Sequence, residues 1–163
     1  MILGMSTYTY TLVHTLISLI GIASGFVVVY GMVTGKPVGI WVTVFLASTV
    51  LTSVTGFGFP FSRLLPSHIV GIISLIALAA AIAGLYYFAL AGIWRWIYVG
   101  CAVFALYLNS FVGVVQAFMK IPALKALAPT QAESPFLIAQ VLLLVIFIAL
   151  GVLAAQRFRA QPA

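Results

Sequence analysis

The chain has 163 residues, 65% hydrophobic and 5% charged, with a formal net charge of +6. That balance leaves no room for a separate soluble domain, and cations spread one or two to a gap fit headgroup anchors rather than a nucleic-acid surface. There is no aspartate, a single glutamate (Glu133) and a single cysteine (Cys101), which excludes paired-carboxylate catalysis, carboxylate-bridged metals, an intramembrane acid relay and an intrachain disulfide.

Five apolar runs follow in order, at about 9–34, 38–57, 67–91, 94–119 and 134–156. Each reaches the ~20 residues a helix needs to cross the hydrocarbon core, where backbone groups must bond internally. The predicted fold is all-α, a polytopic bundle of five transmembrane helices forming one domain over 1–163. The lipid bilayer is the implied partner, and no nucleic acid is expected.

The first run is too long for a cleaved signal peptide and lacks a basic start, so a span is expected. Gly21 and Gly25 sit four apart in it, with Ser18 on nearly the same face, a spacing that lets helices approach closely. Gly35-Lys36-Pro37 makes the first turn. The second run carries Ser48, Thr52 and Thr55 at i, i+4, i+7 and breaks in Gly56-Phe57-Gly58-Phe59-Pro60-Phe61, then at Arg63 and Pro66. The third opens with His68 and holds Ala77, Ala80, Ala81 and Gly84, again small residues on one face. Trp94-Arg95-Trp96 marks an interface before the fourth run. There Asn109, Gly113, Gln116 and Lys120 recur as one helical stripe. Between Pro122 and Pro129 a short helical turn on the membrane surface is expected. Ser134-Pro135 reads as an N-cap with proline at the first helical position.

Five spans put the termini on opposite sides. The N-terminal side, side A, takes Arg63, Lys120, Lys125 and Glu133; side B takes Lys36, Arg95, Arg157 and Arg159. Arg157 and Arg159 directly follow the last span, so a cell-membrane location (the inner membrane of a bacterium) with the N-terminus outside and the C-terminus cytoplasmic is expected. Within the spans, His14, His68, Gln116 and Gln140 all fall in the side-A half. A polar pocket opening to side A is predicted, lined by His14, His68, Asn109, Gln116, Gln140 and Thr52. The same residues would equally serve as interhelical hydrogen-bond glue, at about 0.6–2 kcal/mol each.

His14 and His68 come from helices that can lie diagonally in an up-down bundle, about 14 Å apart for neighbours about 10 Å apart. Two facing imidazoles at that spacing can ligate one b-type haem. Gly21 and Gly71 would leave room for the macrocycle, and Arg63 would pair a propionate. Gln116, Gln140, Asn109 and Thr52 would surround the group, with Tyr8, Tyr10, Phe57, Phe59 and Phe61 supplying aromatic surface. On helix number, size and these two histidines the chain resembles small b-type membrane cytochromes of the cytochrome b561 kind. That resemblance implies haem b, electron transfer without catalysis and a redox partner protein. Cytochrome b561 proteins carry two histidine pairs, and this chain supplies one. The stretch from Thr55-Gly56-Phe57-Gly58-Phe59-Pro60-Phe61 to Pro66-Ser67-His68 also resembles small multi-pass membrane proteins of bacteria to which no activity is attached.

Other occupants stay open at this point. A quinone would place its oxygens on His14 or His68 and on Gln116; a ligand-free accessory protein of a membrane complex needs no occupant. Zinc lacks enough protein ligands. Gly21-Ile22-Ala23-Ser24-Gly25 resembles the rhomboid-protease signature with one residue too many, and Ser24 lies away from both histidines, so an enzyme is not expected. A carrier of a neutral solute would need polarity continuing to side B, whereas it stops near Asn109 and Ser48.

Overall fold

The computed structural model describes residue 2, residues 4–60 and residues 66–159. The elements are α1 (Thr7–Thr34), α2 (Gly39–Gly56), α3 (Pro66–Ile82), continued by a π-helical turn at Ala83–Tyr87, then α4 (Trp94–Lys120), α5 (Pro122–Leu127) and α6 (Ser134–Arg157). Five of these stretches are long and apolar enough to cross a membrane, with the π turn completing the third. The chain is a multi-pass bundle, and the expected surface turn is α5, none of whose residues is buried.

Helices α1, α2, α3 and α4 form a ring, each packed on the next and α4 closing back onto α1. This leaves α1 and α3 on a diagonal. Helix α6 stands outside the ring against α1 and α4 and is the least buried span. One apolar core unites Val28, Phe45, Leu78, Tyr98, Leu106 and Phe147 with their neighbours. These residues come late in α1, α3 and α6 but early in α2 and α4. In an up-down bundle that places them together in the side-B half.

The ring closes tightly where side chains are missing. A Cβ on Gly25 would lie 2.5 Å from Leu106 Cδ1 and 2.9 Å from the Phe45 ring. The glycine is therefore the contact surface that lets α1 meet α2 and α4, as its spacing predicted.

Several helix ends differ from expectation. The third span stops at Tyr87 rather than near residue 91. Ala89, Leu90 and Gly92 take φ of 47°, 59° and 54°, a left-handed path that turns the chain over, while Phe88 stacks on Trp94 at 3.7 Å. Ser6 caps α1, its Oγ accepting from the Thr9 N–H at 3.1 Å, a cap that composition did not announce. Ser134 is the first helical residue of α6, and Glu133 holds the cap position without a side-chain bond to the helix.

The Glu133 carboxylate turns instead into its own loop. It accepts from Thr130 Oγ1 at 2.8 Å and from the backbone N–H groups of Thr130 and Ala132. Burial pushes this carboxyl up, but those hydrogen bonds together outweigh it and hold the pKa below the ordinary value. A depressed carboxyl stabilises the loop above its unfolded pKa and loses that contribution as pH falls through the folded value. Protection of the Thr130 and Ala132 amides, relative to their intrinsic exchange rates, is therefore expected to fall as the pH drops through the lowered carboxyl pKa, and Glu133→Gln should show weak protection already at neutral pH. Slow exchange in Glu133→Gln would count against this account.

At side B, Arg95 donates from Nη1 to the Phe158 carbonyl at 2.6 Å and lies 4.2 Å over the Trp96 ring. It therefore ties the last turn of α6 to the first turn of α4. Arg95→Leu is expected to lower stability by about 1.5 kcal/mol, the low end for a charge-assisted bond because the residue is partly exposed. A thermal melt in detergent would read the change, and an unaltered midpoint would refute the tie.

Candidate functional site

The side-A half of the ring is hollow. A cavity of about 590 Å³ lies between α1, α2, α3 and α4, within the roughly 300–1,000 Å³ common for small-molecule sites. Its lining includes His14, His68, Asn109, Gln116 and Thr52, five of the residues predicted for it. From Lys120 at the rim back to Asn109 is about three turns of α4, or about 17 Å, so the cavity reaches roughly the middle of a ~30 Å hydrocarbon core. It ends at Ile22, Thr49, Ser74 and Leu108, on the packed core. Polarity does not continue to side B.

Not every predicted residue belongs to it. Gln140 is buried, but on α6, outside the ring, where its Nε2 donates to the Phe111 carbonyl at 3.3 Å. It acts as a tie between α6 and α4 and does not line the cavity. Its side-A depth was legible from sequence; its face was not. Arg63 and Phe61 lie outside the described residues, and no role for them follows from the structure.

His14 is held in one tautomer. Its Nδ1 lies 2.8 Å from Thr55 Oγ1, and the Thr55 hydroxyl donates its own proton to the Leu51 carbonyl at 2.6 Å. The hydroxyl oxygen must then accept, so Nδ1 carries the hydrogen and Nε2 keeps its lone pair. The Phe59 ring stands edge-on to His14 at 5.2 Å and to Tyr10 at 5.0 Å. Tyr10 in turn donates to the Thr55 carbonyl at 2.7 Å. The polar stripe on α2 thus anchors α1 through both Tyr10 and His14. His68 is 3% exposed and stacks on Phe57, ring centroids 5.4 Å apart.

The two glycines expected to clear a macrocycle have other neighbours. At Gly71 the space a Cβ would enter is bounded by the Phe57 ring, at 3.3 Å. At Gly21 it is bounded by Asn109 Nδ2 at 3.0 Å, Thr49 Oγ1 at 3.1 Å and Ser48 Oγ at 3.3 Å. Glycine there lets three polar side chains close onto α1.

Thr49 is the residue that sequence reasoning missed. It lines the inner end of the cavity, is 1% exposed, and its Oγ1, like Ser110 Oγ and Gln140 Oε1 away from the cavity, is buried without a hydrogen-bond partner. Its neighbours on α2, Ser48, Thr52, Ser53 and Thr55, each bond the carbonyl one turn back. An unmade bond at such a site costs about 1–3 kcal/mol. Nothing in its sequence neighbourhood separates it from Ser48 or Thr52; only the atoms around it do.

No protein-family model, curated protein or solved structure matches this chain. Its function is therefore argued from the chemistry of the cavity.

Proposed function

We propose that this protein is a non-catalytic, membrane-embedded binding protein whose side-A cavity takes a lipid-soluble ligand. The observation that carries this reading is the hollow itself. A space of about 590 Å³ that opens to side A, apolar along most of its wall and set with a few polar groups, lies inside the ring, while the side-B half holds the apolar core. Pockets of that make-up suit flat or chain-like hydrophobic molecules oriented by a few hydrogen bonds. A structural role as interhelical glue explains Ser53 and the Gln140 amide nitrogen, which have partners, but it does not account for the hollow. We also place the chain in a cell membrane with its N-terminus outside and its C-terminus cytoplasmic, on the strength of Arg157 and Arg159 after the last span.

A second reading has its own support. His14 and His68 line one cavity from the two diagonal helices, and His14 presents a lone pair at Nε2 with its other nitrogen held by Thr55. A ligating histidine oriented through its distal N–H is the usual arrangement at metal centres. In this reading His14 and His68 would hold haem b, and Lys120 at the rim would pair a propionate. Haem would supply a one-electron couple there, and the chain would then act as an electron carrier to a redox partner protein or as an accessory subunit of a membrane complex.

The deciding experiment is to purify the protein in mild detergent, record its reduced-minus-oxidised visible spectrum, and extract it with organic solvent for mass spectrometry. Sharp α and Soret bands near one haem per chain, lost in His14→Ala and His68→Ala, would establish the haem reading. A flat spectrum with a stoichiometric lipophile would favour the broader one. A flat spectrum with no extractable guest would remove both.

A further inference from the structure

The polar groups lining the cavity differ in whether they have hydrogen-bonding capacity to offer a guest. At the inner end they offer little. Ser53 and Ser74 bond each other, Asn109 donates to the Ser18 carbonyl at 3.3 Å, and the Thr49 hydroxyl is sealed in the packing. Nearer the mouth the capacity is open. His14 commits its Nδ1 hydrogen to Thr55, so Nε2 is left with a lone pair, and that nitrogen is not among the buried atoms. Gln116, on the neighbouring wall formed by α4, is exposed and bonds none of the described residues.

A lone pair at this level selects a guest with a hydrogen to give. Ethers, esters and ketones have none, and neither has an anion. An amine would carry a positive charge beside Lys120, the cation at the same mouth. A neutral hydroxyl meets the requirement, donating to His14 Nε2 while its oxygen accepts from the Gln116 amide. From His14 to Ile22 along α1 is about 12 Å of mostly apolar wall. An extended hydrocarbon with ~1.5 Å bonds at near-tetrahedral angles advances about 1.25 Å per carbon, so about ten carbons span that depth.

We infer that the cavity holds a neutral lipid alcohol, its hydroxyl hydrogen received by His14 Nε2 and its hydrocarbon directed toward the packed core. This deepens the reading of the hollow as a site for a lipid-soluble ligand and rests on it. Thr55 acts on the guest at one remove: by taking the Nδ1 hydrogen it keeps Nε2 an acceptor.

The test compares three probes on the detergent-purified full chain at matched mole fraction in the micelle. They are 1-decanol, decyl methyl ether (which keeps the oxygen and lacks the hydrogen) and decanoate. Titration calorimetry should find decanol bound at least tenfold more tightly than the ether. In histidine-labelled protein the ¹⁵N resonance of His14 Nε2 should move with decanol and stay in place with the ether. His14→Phe should bring decanol down to the affinity of the ether and leave the ether unchanged. Should that variant fail to fold, the comparison of probes and the Nε2 resonance in the unaltered chain decide the matter. Equal affinities for alcohol and ether, an Nε2 resonance that decanol does not move, decanol binding unaffected by His14→Phe, or decanoate bound more tightly than decanol would overturn the inference while leaving the hollow as a site for another lipophile. Failure of all three probes overturns it too. If solvent extraction likewise recovers no guest and the spectrum is flat, the ligand-site reading falls with it.

Discussion

Gly25→Val is expected to be the most damaging single substitution in the described part of the chain. Its first side-chain carbon would meet Leu106 Cδ1 at 2.5 Å and the Phe45 ring at 2.9 Å, and two further methyl groups would have to follow. Leu106 is fully buried and Phe45 is 1% exposed, so neither can swing outward. Helices α1, α2 and α4 would have to separate, and overpacking of a filled core costs about 1–3 kcal/mol or more. Loss near the top of that range is expected, read as a large drop in melting temperature or as aggregation on size exclusion. Gly100→Ala supplies the control. Gly100 has nothing within reach of an added Cβ, and alanine there should be neutral or up to about 1 kcal/mol stabilising. A folded, normally melting Gly25→Val protein would mean that the ring does not close as described.

The second large effect is functional. A Cβ on Gly113 would meet only the tip of Ile22, Cδ1 at 3.3 Å, and Gly113 lines the cavity. Gly113→Phe is therefore expected to direct a ring into the hollow. Ligand occupancy should fall at least 100-fold, about 2.7 kcal/mol, whichever lipophile binds. Stability should hold or rise, because the substitution fills a void and replaces glycine inside a helix. Measuring extracted ligand per chain beside the melting temperature separates this from unfolding. Full occupancy in a well-folded Gly113→Phe variant would place the site elsewhere.

How much of this was legible in the sequence depends on the kind of information each feature needs. The five spans follow from hydropathy, since lipid imposes one solution on a 20-residue apolar run. The face carrying Asn109, Gln116 and Lys120 was legible because helical period and polarity agree there. His14, His68 and Thr52 were read from depth alone, and they line the same cavity. Gln140 shows the limit: depth says nothing about direction, and α6 packs outside the ring. The early end of α3 needed the backbone, because Ala89 and Leu90 are not residues that advertise a left-handed turn. Phe57 against Gly71, and Thr49 without a partner, are facts about interatomic space. No pattern of residue types contains them.

One property of the lining bears on how the protein works in an energised membrane. Among the described lining residues only Lys120 carries a fixed charge, and it stands at the rim. A unit charge carried across 100 mV gains or loses about 2.3 kcal/mol, enough to change occupancy roughly fiftyfold. A neutral guest travelling from the rim to the inner end of the cavity would cross half the field and exchange no such work with it. Occupancy should then be the same in polarised and depolarised cells, so the protein would report the abundance of its ligand in the bilayer and stay deaf to the voltage across it.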